Sequence, residues 1–259
     1  MIRFVFYTAM MILVCMASYC YRIGGDSMER RPINDNLRLL DTCSDQTKTT
    51  LLRSGKLVYY PEKHVIISAR EETDAVYFIV DGKVLVYYHS DQGQKRSIFI
   101  LGDNEIANES IVEGKNSVYC ETIEPSAFFA VQRKSLLSMM ATDFELTLTL
   151  MRYQEHKTRR MSHQLKNTAF NISLEQRLAA KLWKLAKDFG EDGPDGIVIN
   201  MRLSVAFLSE LVRASREKTS KALKKLCQFG YLRIEGRKFI LCNPEGLRDY
   251  YKTGLCKLK

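Results

Sequence analysis

Arg216, Glu217, Ser220, Lys221 and Lys224 are the side chains of this 259-residue sequence whose types and spacing point most directly to chemistry. On a helix starting after Ser215 they fall on the early turns. They point away from an apolar stripe of Thr219, Ala222, Leu223, Leu226 and Phe229. The first turns of such a helix can reach base edges in a major groove, and flanking lysines can hold phosphates. This is recognition by hydrogen bonds, not bond making. Six basic residues against one acid between Arg213 and Lys225 give the stretch the field a polyanion needs.

Such side chains need a rigid carrier. Residues 203–225 (LSVAFLSELVRASREKTSKALKK) read as two short helices with a tight break. Ser204 caps the first, whose apolar face is Phe207, Leu208, Leu211 and Val212, and Ser215 caps the second. Gly230 ends that helix. Two short apolar runs follow, 231–234 and 239–242, turned by Glu235-Gly236-Arg237-Lys238. Helix, turn, helix and β-hairpin wing together predict a winged helix that lays its second helix in the major groove of double-stranded DNA. Ser204, Ser215 and Lys218 join the five residues above as the predicted DNA-binding set. The charge distribution agrees. The chain carries a net +9; residues 173–259 hold 18 Lys and Arg against 10 Asp and Glu, and residues 1–172 hold 21 against 20.

Upstream, the run 75–88 (AVYFIVDGKVLVYY) centres on Asp81-Gly82, the strongest hairpin signal in the chain. Further short strands are predicted at 57–60, 64–67, 97–101, 118–123 and 127–131, which suits a small barrel or jelly roll. A long helix follows over 144–168. Its stripe of Leu146, Leu150, Tyr153, Met161 and Leu165 is interrupted by Lys157. Such a stripe is expected to pack partly on the barrel and partly on the same helix of a second copy, giving a homodimer. Residues 170–172 read as a hinge. Ser173 with Gln176 then makes a capping box for a helix over 174–189.

These stretches together resemble the Crp/Fnr family of bacterial transcription regulators. The resemblance rests on VYFIVDGKVLVYY with Gly93 and Gly102, the long helix ending in NTAF, the recognition helix SREKTSK and the wing ending FILCNPEGL, and it covers about residues 55–250. It implies an α+β chain in three parts: a cyclic-nucleotide-binding-like jelly roll (28–143), a dimerisation helix and hinge (144–170), and a winged helix-turn-helix (171–259). It further implies an effector-controlled, sequence-specific regulator in the cytoplasm, with TTGA-like inverted half-sites and RNA polymerase as partners. The Glu217-x-x-Ser220-Lys221 pattern is closest to the Fnr-like Glu-x-x-Ser-Arg. Arg213 stands where the family often has glycine.

The resemblance also locates an effector pocket at Asn108, Glu109, Asn116, Ser117 and, on the long helix, Ser162. The family signature pairs Gly-Glu for ribose with Arg-Ser for phosphate. Here Asn116 replaces the arginine, and a phosphate charge buried without a cation is expensive. This argues against cyclic AMP. It leaves another small-molecule effector, or a purely structural scaffold.

Other chemistry is poorly supported. The seven cysteines have no CxxC spacing, and the four histidines are scattered, so no metal or iron–sulfur site is signalled. They read as reduced residues, with Cys43 and Cys120 as an alternative redox pair. No catalytic triad, carboxylate pair or phosphate-cradling loop is present. The apolar run 4–21 reads three ways: signal peptide, membrane anchor, or no part of the natural product. Gly24-Gly25-Asp26 can be encoded by a ribosome-binding sequence, so translation from Met28 is the favoured expectation. An anchor would instead make a membrane-tethered ligand sensor whose winged helix mediates protein contacts.

Overall fold

The computed structural model describes residues 19–24, 27–32, 37, 41–169 and 172–255. The chain divides into two compact units, Met1–Lys157 and Thr158–Lys259. The first opens with an antiparallel pair, β1 (Tyr19–Gly24) and β2 (Ser27–Pro32). Of the apolar run 4–21, residues 4–18 lie outside the described residues, and residues 19–21 belong to a strand. Among the described residues no helix is long and apolar enough to cross a membrane.

Helix α1 (Asp45–Ser54) was not anticipated. Its start is nonetheless written in the sequence: the Ser44 hydroxyl accepts the Thr47 N–H at 3.2 Å. Seven strands follow, β3 (Gly55–Tyr60), β4 (Val65–Ile67), β5 (Ala75–Asp81), β6 (Val84–His89), β7 (Lys95–Leu101), β8 (Tyr119–Thr122) and β9 (Ser126–Gln132). They form two antiparallel sheets, ordered β3-β9-β5 and β4-β8-β6-β7. Helices α2 (Arg133–Thr142) and α3 (Phe144–Ala169) come next.

The β3-β9-β5 sheet is covered on both faces. Along β5 and β9, Ile79 and Phe128 join one core with Val84, Val86, Leu101 and Cys120 of the other sheet. Val76, Phe78, Phe129 and Val131 join a second core with Leu51 of α1, Leu136 of α2 and Leu146, Leu150 and Tyr153 of α3. That is why 75–80 is a continuous apolar run instead of an alternating one. Register needs a further device, since a slip of one residue would exchange Phe128 for Phe129. In the observed register Gly55 leaves room for Phe129: a Cβ there would stand 2.2 Å from that ring. Cys43 and Cys120 belong to these two different cores, and both are free. The Cys43–Cys120 redox pair is therefore excluded by the sheet between them.

Lys157 does not interrupt the face of α3 that packs on the barrel, as the sequence suggested. It is 9% exposed and continues that face. Its four-carbon stem packs while its ammonium finds a carbonyl. Met161 is exposed, and the Leu165 side chain lies outside the described residues.

In the second unit, Ser173 accepts from Gln176 N–H and the Gln176 side chain returns to Ser173 N–H, so α4 (Leu174–Phe189) begins with the predicted capping box. Residues 170 and 171 of the expected hinge lie outside the described residues. The hairpin β10 (Gly190–Gly193) and β11 (Gly196–Ile199) was not anticipated. After it come α5 (Val205–Val212), α6 (Arg216–Gln228), the wing strands β12 (Leu232–Glu235) and β13 (Lys238–Leu241), and α7 (Pro244–Thr253). The wing extends the sheet to β10-β11-β13-β12. Helix α7 starts from Asn243, which accepts Gly246 N–H at 2.8 Å, with proline in the first turn.

Candidate nucleic-acid interface

Two serines set the helix-turn-helix. Ser204 accepts Phe207 N–H at 3.1 Å and Ser215 accepts Lys218 N–H at 3.3 Å. Between them Arg213 sits at φ 55°, ψ 53°, the left-handed region expected for the turn. Leu208, Leu211 and Val212 of α5 and Thr219, Ala222, Leu223 and Leu226 of α6 are buried, while Phe229 is half-buried. Burial of this inner face fixes which side of α6 meets solvent. Arg216, Glu217, Lys218, Lys221 and Lys224 are exposed, and Ser220 is half-buried beside them. The structure thus brings the predicted base-reading and phosphate-holding residues onto one short, capped helix.

Within this surface Lys221 and Glu217 pair at 2.7 Å, both about three-quarters exposed. Lys225, one residue past Lys224, pairs instead with Glu175 of α4 at 3.2 Å. That pair anchors α6 to its support and leaves Lys224 on the outer face. At the wing, Arg233 is held by Asp195 at 2.5 Å and Glu235 at 2.9 Å. The wing tip exposes Arg237 and Lys238. Sequence reasoning treated these two only as turn residues, although their charge was the available signal. Half-buried Lys181 of α4 has its pKa pushed down to about 8, by desolvation first and then by the charges of Arg213 and Lys184.

The predicted pocket residues of the first unit are close together and largely occupied with one another. Asn108 is buried: its Oδ1 accepts Tyr77 N–H at 2.8 Å and its Nδ2 donates to Ala75 O at 3.0 Å. Asn116 is also buried. Its amide donates to Gly114 O at 3.1 Å and Thr73 Oγ1 at 3.3 Å, and its oxygen accepts Glu109 N–H at 3.4 Å. The Glu109 carboxylate accepts the Ser117 hydroxyl at 2.7 and 2.8 Å and the Ser117 N–H. Ser162 lies in the second unit and donates to Thr158 O at 3.2 Å. A residue the sequence did not flag, the buried Arg133, ties the connecting loop by donating to Thr73 O, Ser110 O and Ile111 O. Among the described residues no three His, Cys, Asp or Glu side chains gather as metal ligands.

Known proteins match along the same lines. Residues 57–143 fit the cyclic nucleotide-binding domain and residues 176–250 fit the Crp-like helix-turn-helix domain, together more than half of the chain. The CRP-like cAMP-activated global transcriptional regulator of Mycobacterium tuberculosis is 28% identical over 192 residues, covering 73% of this chain and 85% of that protein. The global nitrogen regulator of Synechococcus elongatus is 21% identical, covering 76% and 86%. Among solved structures, a CooA mutant from Carboxydothermus hydrogenoformans superposes with a TM-score of 0.68 at 18% identity, covering 83% of this chain and 95% of that one. FixK2 from Bradyrhizobium japonicum gives 0.65 at 18% identity, covering 75% and 96%.

Proposed function

The chain belongs to the Crp/Fnr family of DNA-binding transcription regulators, and from that premise we propose that it works as a cytoplasmic homodimer reading a twofold-symmetric site under control of its barrel. The observation that carries the reading is the exposed edge of α6. There Glu217 and Lys221 stand 2.7 Å apart on a helix capped by Ser215. Glu217 accepts from a cytosine amine and Lys221 donates to guanine, which together favour TTGA-like half-sites about one helical turn apart. Arg216 and Ser220 complete the base-facing edge. Lys218, Lys224 and the wing-tip residues Arg237 and Lys238 hold phosphates, and the Ser204 and Ser215 hydroxyls have a proton to donate to them.

Helix α3 supports the dimer. Phe144 is 72% exposed and Met151 56% exposed. They lie two turns apart on one face, about half a turn around the helix from the Tyr153 face that packs on the barrel. An apolar face left open along a long helix fits the same helix of a second copy. A promoter-bound regulator of this kind meets RNA polymerase as its protein partner.

The barrel's effector, on this reading, is not cyclic AMP. Asn116 offers no charge, its amide is spent on Thr73 and Gly114, and Glu109 is already paired with Ser117. Selection of bound DNA from a random pool with the purified chain tests the proposal, together with light scattering for the mass in solution. Enrichment of an inverted repeat by a dimer supports it. No enriched motif, or a monomer bound to a single half-site, overturns it.

A further inference from the structure

Two buried side chains on α3 do work that packing alone does not require. Tyr153 and Lys157 are four residues apart on one face. The Tyr153 hydroxyl accepts the Ile106 N–H at 2.8 Å and donates to the Ile106 carbonyl at 3.2 Å. One turn on, the Lys157 ammonium donates to the Asn108 carbonyl at 2.7 Å. Both contacts go to backbone, in the short segment 106–108 that is itself seated on β5. Ile106 bridges Phe78, Ala107 N–H donates to Tyr77 O at 2.9 Å, and the Asn108 amide bonds Tyr77 and Ala75. The next residue is Glu109, held by Ser117. A single peptide link therefore separates the carbonyl that Lys157 grips from the Glu109–Ser117 clasp.

A leucine at 157 would pack as well and avoid desolvating an ammonium. A charge-assisted bond to a carbonyl has a direction, which an apolar contact lacks. It is satisfied in one register of α3 against the segment and lost in others. Lys157 is also the last residue of the first unit, and α3 runs on unbroken to Ala169.

We infer that Tyr153 and Lys157 form a latch that couples the Glu109–Ser117 clasp to α3. When the clasp opens, segment 106–108 shifts, the two bonds loosen, and the helix beyond Lys157 is released. The latch rests on the reading that the barrel governs DNA binding only for its consequence at DNA; its mechanical part stands on the contacts above.

Hydrogen exchange on the full chain tests it, comparing Ser117→Ala, Lys157→Met, the double variant and the wild type. Ser117→Ala should speed exchange in 109–117 and, through the latch, in α3 from Tyr153 onward. In the Lys157→Met background Ser117→Ala should no longer add to exchange in α3. If Ser117→Ala leaves α3 unchanged, or if the two effects on α3 add in full, the latch is wrong. Should Lys157→Met fail to fold, Tyr153→Phe takes its place in the cycle. Lys157→Arg, which keeps a donor, should restore wild-type coupling; failure to do so also counts against the latch. DNA affinity of the same proteins separates the two readings. A shift of about fivefold on Ser117→Ala, abolished in the double variant, supports both. Coupled exchange with unmoved DNA affinity supports the latch and removes barrel control of DNA binding.

Discussion

Lys221 Nζ lies 2.7 Å from Glu217 Oε1, one turn away on α6, so the two side chains proposed to read bases hold each other in the free protein. The pair fixes the carboxylate and ammonium side by side before DNA arrives, and both remain exposed enough to accept new partners. Glu217→Ala should remove the cytosine contact and free Lys221 to sample other bases. Preference at one base position should fall by about 1–3 kcal/mol. Titrations on the selected site and on random DNA check this. Equal losses on both would show that Glu217 does not read bases.

Lys224 and Lys225 are neighbours with different duties. Lys224 is exposed, whereas Lys225 is paired with Glu175. Lys224→Ala should weaken binding to all sequences alike and lower the slope of log affinity against log salt by about one. Lys225→Ala should instead shift the melting temperature of the protein. A changed base preference in Lys224→Ala would move that residue from phosphates to bases.

Arg213 occupies a left-handed turn at φ 55° that costs an L side chain roughly 1 kcal/mol. Arg213→Gly should relieve that strain and raise the urea midpoint slightly, by the equivalent of at most about 0.5 kcal/mol once the added freedom of the unfolded glycine, about 0.4–1 kcal/mol, is subtracted. A midpoint that stays put or falls would mean that the arginine side chain contributes as much as the turn costs.

Most of the helix-turn-helix was legible because its signals are local. Ser204, Ser215, Gly230 and the 3.6-residue stripe of α6 each act within one or two turns. The long helix and the strands around Asp81-Gly82 were legible for the same reason. What escaped depends on partners distant in sequence. Lys157 looks polar on a helical wheel, and its partner, the Asn108 carbonyl, is 49 residues away. Arg133 gave no sign that it would be spent on the carbonyls of Thr73, Ser110 and Ile111. The β10–β11 hairpin is too short and too glycine- and acid-rich for a period-two signal; β11 is fixed by pairing with β13. Helix α7 was not read either, although Asn243-Pro244, a cap followed by proline, was a local signal for it.

Lys181 gives the second unit a pH signature. Its folded pKa is about 8, lowered first by desolvation and then by Arg213 and Lys184. Its unfolded value is the ordinary lysine one, roughly 10.4. Between these values the unfolded chain binds more protons than the folded one, so this residue makes stability rise with pH across that window. Lys181→Met should remove the rise. Urea midpoints near pH 7.5 and 9.5 provide the comparison. Parallel pH dependence in both proteins would show that Lys181 keeps an ordinary pKa.

A nucleotide phosphate entering beside Ser117 would meet Asn116, a neutral amide already bonded to Thr73 and Gly114, and its ribose would have to displace Ser117 from Glu109. The first loss leaves a buried negative charge without a counter-ion, and the second breaks bonds to a carboxylate before any new one forms. Cyclic AMP at tens of micromolar should therefore give no heat in calorimetry, a concentration that reports any affinity tighter than about −6 kcal/mol. Affinity for the selected DNA site should likewise stay within about twofold on adding the nucleotide. Submicromolar binding would mean that the Glu109–Ser117 clasp opens readily and that a cation elsewhere in the chain takes the place of the missing arginine.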